Sequence, residues 1–124
     1  MLVRVVNESR GNVLAVQAEV ARSFGRRLKG LLLRRGLSPS EGLVIEPCNA
    51  IHTFFMLFPI DAVFYDFAGR VVAIFPHLVP FRWTPFVREA QGVVELPAGK
   101  VAATGTQPGD RLAFLPARPE ELGT

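Results

Sequence analysis

The sequence predicts a mainly β fold with a minor α+β character: a compact β-sandwich or partly closed barrel of short strands, carrying one amphipathic helix near residues 23–33. Three observations predict it. Six or more short apolar runs are separated by Gly, Pro, Asn and Asp at regular intervals, as strands and tight turns require. Only one stretch has the apolar spacing of a helix. The longest apolar region, residues 51–66, alternates in its second half and is broken by Pro59, so it reads as core strand.

Taken in order, residues 2–6 and 13–20 form a hairpin about the turn Asn7-Glu8-Ser9-Arg10-Gly11-Asn12. Ser23 is placed to cap the helix, whose apolar face is Phe24, Leu28, Leu31 and Leu32, with Arg22, Arg26 and Lys29 opposite. Gly25 and Gly30 each weaken it by roughly 1 kcal/mol relative to Ala, so it leans on tertiary packing. A loop over 37–41 leads to a short strand at 43–45. Residues 51–58 and 60–65 are expected as strands bent at Pro59, the second with Ile60, Ala62 and Phe64 on one face and Asp61, Val63 and Tyr65 on the other. Asp66-Phe67-Ala68-Gly69 turns into a strand at 70–75, followed by a Pro-rich aromatic loop over 76–86. A strand at 93–96, a helical turn at 100–104 and a strand at 111–115 after Pro108-Gly109-Asp110 complete the pattern. One domain over 1–115 and a frayed tail over 116–124 are expected.

The composition excludes several classes. No apolar run reaches the roughly 20 residues of a membrane helix. The N-terminal residues run into a polar turn without a leader pattern, and a single cysteine rules out a disulfide framework and a cysteine-based zinc cage. A soluble, cytoplasmic protein is the expectation. The net charge of +3 is uneven: residues 1–62 hold eight Lys or Arg against five acids, residues 63–124 six of each. The basic character centres on Arg22 to Arg35, so an anionic partner is sought there.

The run Pro47-Cys48-Asn49-Ala50-Ile51-His52-Thr53-Phe54-Phe55-Met56, continued by Phe58-Pro59-Ile60-Asp61-Ala62-Val63-Phe64, resembles the signature of the DUF192 (UPF0127) family. Arg27-Leu28-Lys29-Gly30-Leu31-Leu32, Gly42-Leu43, and Leu96-Pro97-Ala98-Gly99 with Gly105 and Pro108-Gly109-Asp110 match in the same order, over residues 18–114. The resemblance implies a small, mostly β domain and carries over no catalytic residue. It also marks a departure, because the position after Met56 is usually basic in this pattern and here is Leu57.

Three clusters carry candidate chemistry. Cys48, His52 and Asp61 supply the residue types of a nucleophile, a base and an orienter, while the competing role is a small buried thiol and a structural carboxylate. Asp61, inside an apolar strand, requires an Arg or backbone amides as partners. Arg26 and Arg27 fall in the first helical turn, where the helix dipole disfavours cations unless an anion sits nearby. The loop over 76–86 places Phe81, Trp83 and Phe86 beside Arg82 and Arg88, a composition suited to a contact surface or to closing the core. The ligand-binding set is therefore Arg26, Arg27, His52, Asp61, Arg82 and Trp83. The function this favours is a non-catalytic module for an anionic small molecule or a protein partner. The alternatives are a hydrolase or transferase using Cys48 and His52, and nucleic-acid binding through the Arg-rich helix. Nucleic acid is disfavoured because the aromatics lie away from the Arg stripe. No metal-ligand spacing and no cofactor motif is present in the sequence, so neither group is expected.

Overall fold

Seven strands form one sheet in the computed structural model, which describes residues 1–23 and 34–118. They are β1 (Leu2–Asn7), β2 (Asn12–Ala21), β3 (Glu41–Ile45), β4 (Ile60–Tyr65), β5 (Val71–Leu78), β6 (Gly92–Pro97) and β7 (Leu112–Pro116). One short helix, α1 (Lys100–Thr104), precedes β7. The helix expected near residues 23–33, with Arg26 and Arg27, lies outside the described residues, as does the tail from residue 119. Pro116, read from sequence as the first tail residue, closes β7 by pairing with Val3.

The strand order is β5-β4-β6-β3-β2-β1-β7. Neighbours are antiparallel except β2 and β3, which run parallel with Gln17 opposite Glu41 and Ala21 opposite Ile45. The sheet curls until its two edges touch: Arg70 and Arg111 form an isolated bridge, and the Val71 amide donates to the Asp110 carbonyl at 2.8 Å. Of the two expected architectures, this is the partly closed barrel. Gly69 sits at the seam with φ 81°, where a Cβ would meet the Leu112 carbonyl oxygen at 2.7 Å, so only glycine lets the edges approach.

Asn7 ties the first hairpin to the last turn. Its buried amide donates to Thr106 Oγ1 (3.2 Å) and Asp110 Oδ2 (3.0 Å), while its Oδ1 accepts the Arg10 amide. Arg10 Nε reaches the same Asp110 oxygen at 2.8 Å. This network holds the Asp110 carboxyl below its ordinary range, chiefly through the Asn7 hydrogen bond and then through Arg10 and the Gln107 amide.

Both faces of the sheet are apolar. On one lie Val5, Leu14, Ala18, Val63, Tyr65, Val94 and Leu96, with Val101 of α1 packed over them. On the other lie Leu43, Ile45, Ile60, Ala62, Phe64 and Val93, covered by Met56 and Val87 from two long loops. β4 separates the two layers, and all six of its residues are buried. The alternation expected for β4 is thus present, with both faces serving as core.

Two expected elements differ. Residues 51–58 are not a strand; only His52 makes a bridge, to Trp83, and a turn follows at Phe54 and Phe55. The sequence of the run has no apolar–polar alternation, and the left-handed backbone at Phe55 (φ 67°) breaks the extended path a strand needs. Pro76 and His77, read as loop, continue β5. β5 is an edge strand, where a missing N–H is tolerated, and the His77 amide is satisfied by Asp61 Oδ1 at 2.8 Å.

Candidate functional site

The loops over residues 46–59 and 79–91 cross the second apolar face side by side, and two buried threonines join them. Thr53 Oγ1 donates to the Val79 carbonyl at 2.7 Å and accepts the Arg82 amide at 2.9 Å. The Thr53 amide donates to the Arg82 carbonyl at 2.7 Å, and the Thr84 amide to the Ile51 carbonyl at 2.9 Å. Thr84 Oγ1 in turn accepts the Ile51 amide at 3.1 Å. Val87 to Asn49 (2.7 Å) and Cys48 to Gln91 (3.0 Å) extend the backbone ladder along both loops. Thr53 and Thr84 are buried, so each hydroxyl satisfies polar backbone that no sheet reaches.

This anchoring turns large apolar side chains outward. Trp83 is 69% exposed, Phe86 68%, Phe55 65% and Phe81 63%. Phe54 sits at the centre, its ring centroid 5.7 Å from Trp83, 6.2 Å from Phe81 and 5.5 Å from His52. Phe55 and Phe81 both have left-handed backbone, with φ 67° and 64°, a conformation costly for aromatic residues. The strain is held by the hydrogen bonds around Thr53. Arg82 and Arg88 are exposed in the same loop, and Arg82 Nη1 donates to the Phe81 carbonyl at 3.2 Å.

The sequence-derived residues fall in different places. His52 and Trp83 are brought together as bridge partners, with Arg82 between Phe81 and Trp83. His52 is exposed, and its Nδ1 accepts the Phe54 amide at 3.3 Å. Cys48 is half-buried against the second apolar face, and its Sγ–H donates to the Ala50 carbonyl at 3.2 Å. Asp61 lies on the opposite face of β4, on the side of Val63 and Tyr65. Its carboxylate accepts three backbone amides: His77 on Oδ1, and Gly99 (3.1 Å) and Val101 (2.8 Å) on Oδ2. Of the partners expected for Asp61, these are the backbone amides, supplied by β5 and by the start of α1. Leu57, where the resemblance leads one to expect a basic residue, is exposed. Among the described residues, no group of three or more His, Cys, Asp and Glu could hold a metal.

Two further polar features escaped the sequence reading. Glu95, in the middle of β6, is buried between Leu43 of β3 and Ala62 of β4, and desolvation pushes its carboxyl up to about 8. A carboxylate inside Val-Val-Glu-Leu-Pro was visible as a signal of the same kind as Asp61. The Tyr65 hydroxyl donates to Glu46 Oε2, and Arg22 grips Glu46 Oε1 through Nε (3.1 Å) and Nη2 (3.0 Å). Burial, then the Glu46 bond and charge, raise the Tyr65 hydroxyl well above its ordinary pKa. This trio is assembled from three separate segments, so no local spacing announces it.

The fold and this surface define a class, a small curled-sheet domain that presents ordered aromatic loops. Within that class, the family model DUF192 (Uncharacterized ACR) matches residues 5–114, and the chain belongs to this family. It is 34% identical over 118 residues to UPF0127 protein PH1112 of Pyrococcus horikoshii, covering 90% of this chain and 98% of that one. It is 29% identical over 121 residues to UPF0127 protein TK1120 of Thermococcus kodakarensis, covering 94% and 76%. Among solved structures it resembles a protein of unknown function from Novosphingobium aromaticivorans, with TM-score 0.78, 28% identity, and 91% and 84% of the two chains covered.

Proposed function

We propose that the protein is a non-catalytic binding module that engages a protein partner through the aromatic surface of Phe54, Phe55, Phe81 and Trp83. The observation that carries this reading is the exposure of Phe55, Phe81 and Trp83 around the half-buried Phe54, on backbone that is held rather than loose. Exposed apolar groups of this size, contiguous and pinned at an energetic cost, have no role in the core of the domain. Aromatic anchors flanked by Arg are the composition of interface centres, and a rigid presentation lowers the entropy lost on binding. Arg82 and Arg88 suit acidic groups at the partner's rim. Asp61 contributes by anchoring α1 and β5 rather than by touching a ligand.

In-cell photo-crosslinking tests this, with the crosslinking residue placed at Phe81, at Phe86 and, as a control, at the exposed Ala102 of α1. Discrete adducts of one mass at the first two positions and none at Ala102 support the reading. Absence of adducts at both aromatic positions, or equal labelling at Ala102, overturns it.

A further inference from the structure

On the other side of the sheet, the ends of β1, β2, β3 and β7 line a half-open cavity of about 350 Å³. Its walls include Val3, Val20, Val44 and Phe114, and its polar end is Arg22 with Glu46. The volume is within the range of pockets that enclose small organic ligands, and the combination of apolar walls with a few convergent polar groups is typical of them. Three of these wall residues belong to the apolar layer facing away from the aromatic loops, and Phe114 packs against that layer.

The hydrogen-bond inventory of the polar end sets the ligand's chemistry. Glu46 is nearly spent, since Oε1 takes two Arg22 donors and Oε2 takes the Tyr65 hydroxyl. Arg22 uses one N–H on Nε and one on Nη2 toward Glu46, out of the five its guanidinium carries. Its side chain is 62% exposed, against 18% for Glu46, so the remaining donors are reachable. The end of the cavity thus offers donors and few acceptors. Tyr65 and Glu46 hold the guanidinium in place, which favours planar two-point recognition of an acceptor group.

We propose that this cavity binds a small amphipathic carboxylate, with a hydrocarbon or aromatic body against the valines and Phe114 and its head on the outer donors of Arg22. The site is independent of the aromatic surface, and neither reading depends on the other.

Methyl NMR of the full chain, titrated separately with octanoate, octylamine and octanol, tests it. Octanoate is expected to shift the Val20, Val44 and Leu115 methyls saturably while leaving Val87, on the opposite face, unmoved. Octylamine should bind at least about tenfold more weakly, and Arg22→Gln should weaken octanoate about tenfold while sparing octanol. Leu115→Trp, at the cavity mouth, should weaken both octanoate and octanol without lowering the thermal midpoint. Equal binding of octylamine, indifference to Arg22→Gln, shifts centred on Val87, or no shift with any probe would each overturn the proposal.

Discussion

Asp61 and Glu95 each interrupt an apolar strand, yet their surroundings differ. Asp61 accepts three amides, and an Asn in its place has one carbonyl oxygen where the carboxylate has two. Asp61→Asn should therefore cost about 2–3 kcal/mol in urea unfolding, the loss of charge-assisted bonds to buried amides. For Glu95, burial raises the carboxyl from 4.5 to about 8. Below about 4.5 it is protonated in both states. Between there and about 8 the unfolded chain ionises while the folded protein keeps its proton, so stability falls as pH rises and levels off above. Glu95→Gln should match the parent near pH 4 and exceed it by a few kcal/mol at pH 9, measured by denaturant titration at both values. Asp110 acts in the opposite sense. Its depressed carboxyl contributes stability above the ordinary range around 3.8 that is lost as pH falls through its folded value. That a carboxylate sat in each strand was readable from the sequence. That Asp61 found amides depended on neighbours 16 to 40 residues away, and the burial of Glu95 on the strands of Leu43 and Ala62.

At the scale of elements, the turn chemistry was legible and the long loops were not. Asp66 and Gly69 close the β4–β5 turn as read, with Asp66 Oδ1 accepting the Ala68 and Arg70 amides. The helical turn at residues 100–104 was also visible, but its cap was not, because Gly99 has no side chain and Asp61 supplies the cap from another strand. Gly99 has φ 98° with open space around its Cβ position, so Gly99→Ala should cost about 1–2 kcal/mol through backbone strain alone, read from the thermal midpoint. Residues 51–58 read as strand because aromatic runs carry strand propensity, whereas here a loop-to-loop backbone ladder is completed by two Thr hydroxyls. Thr53→Val preserves the shape and removes that hydroxyl. It should destabilise by about 1–3 kcal/mol and speed amide exchange selectively at Arg82, whose N–H loses its acceptor.

Across the whole molecule, one curled sheet with two apolar faces puts different demands on each side. The inner layer is covered by α1 and carries the cavity at the Arg22 end, while the outer layer is covered by loops whose own rings face solvent. The sequence announced a β domain and an aromatic loop at 76–86, but not that residues 51–58 would join that loop as its second half. Long-range pairing of this kind leaves no periodic trace, and His52 opposite Trp83 is such a pair. The central claim is that this surface is exposed and yet held. Trp83 is the sole tryptophan, so time-resolved emission of the purified protein reports on it alone. The account predicts a water-exposed emission spectrum with anisotropy decaying at the tumbling rate of the whole domain. A blue-shifted spectrum, or a dominant fast local decay, would contradict it.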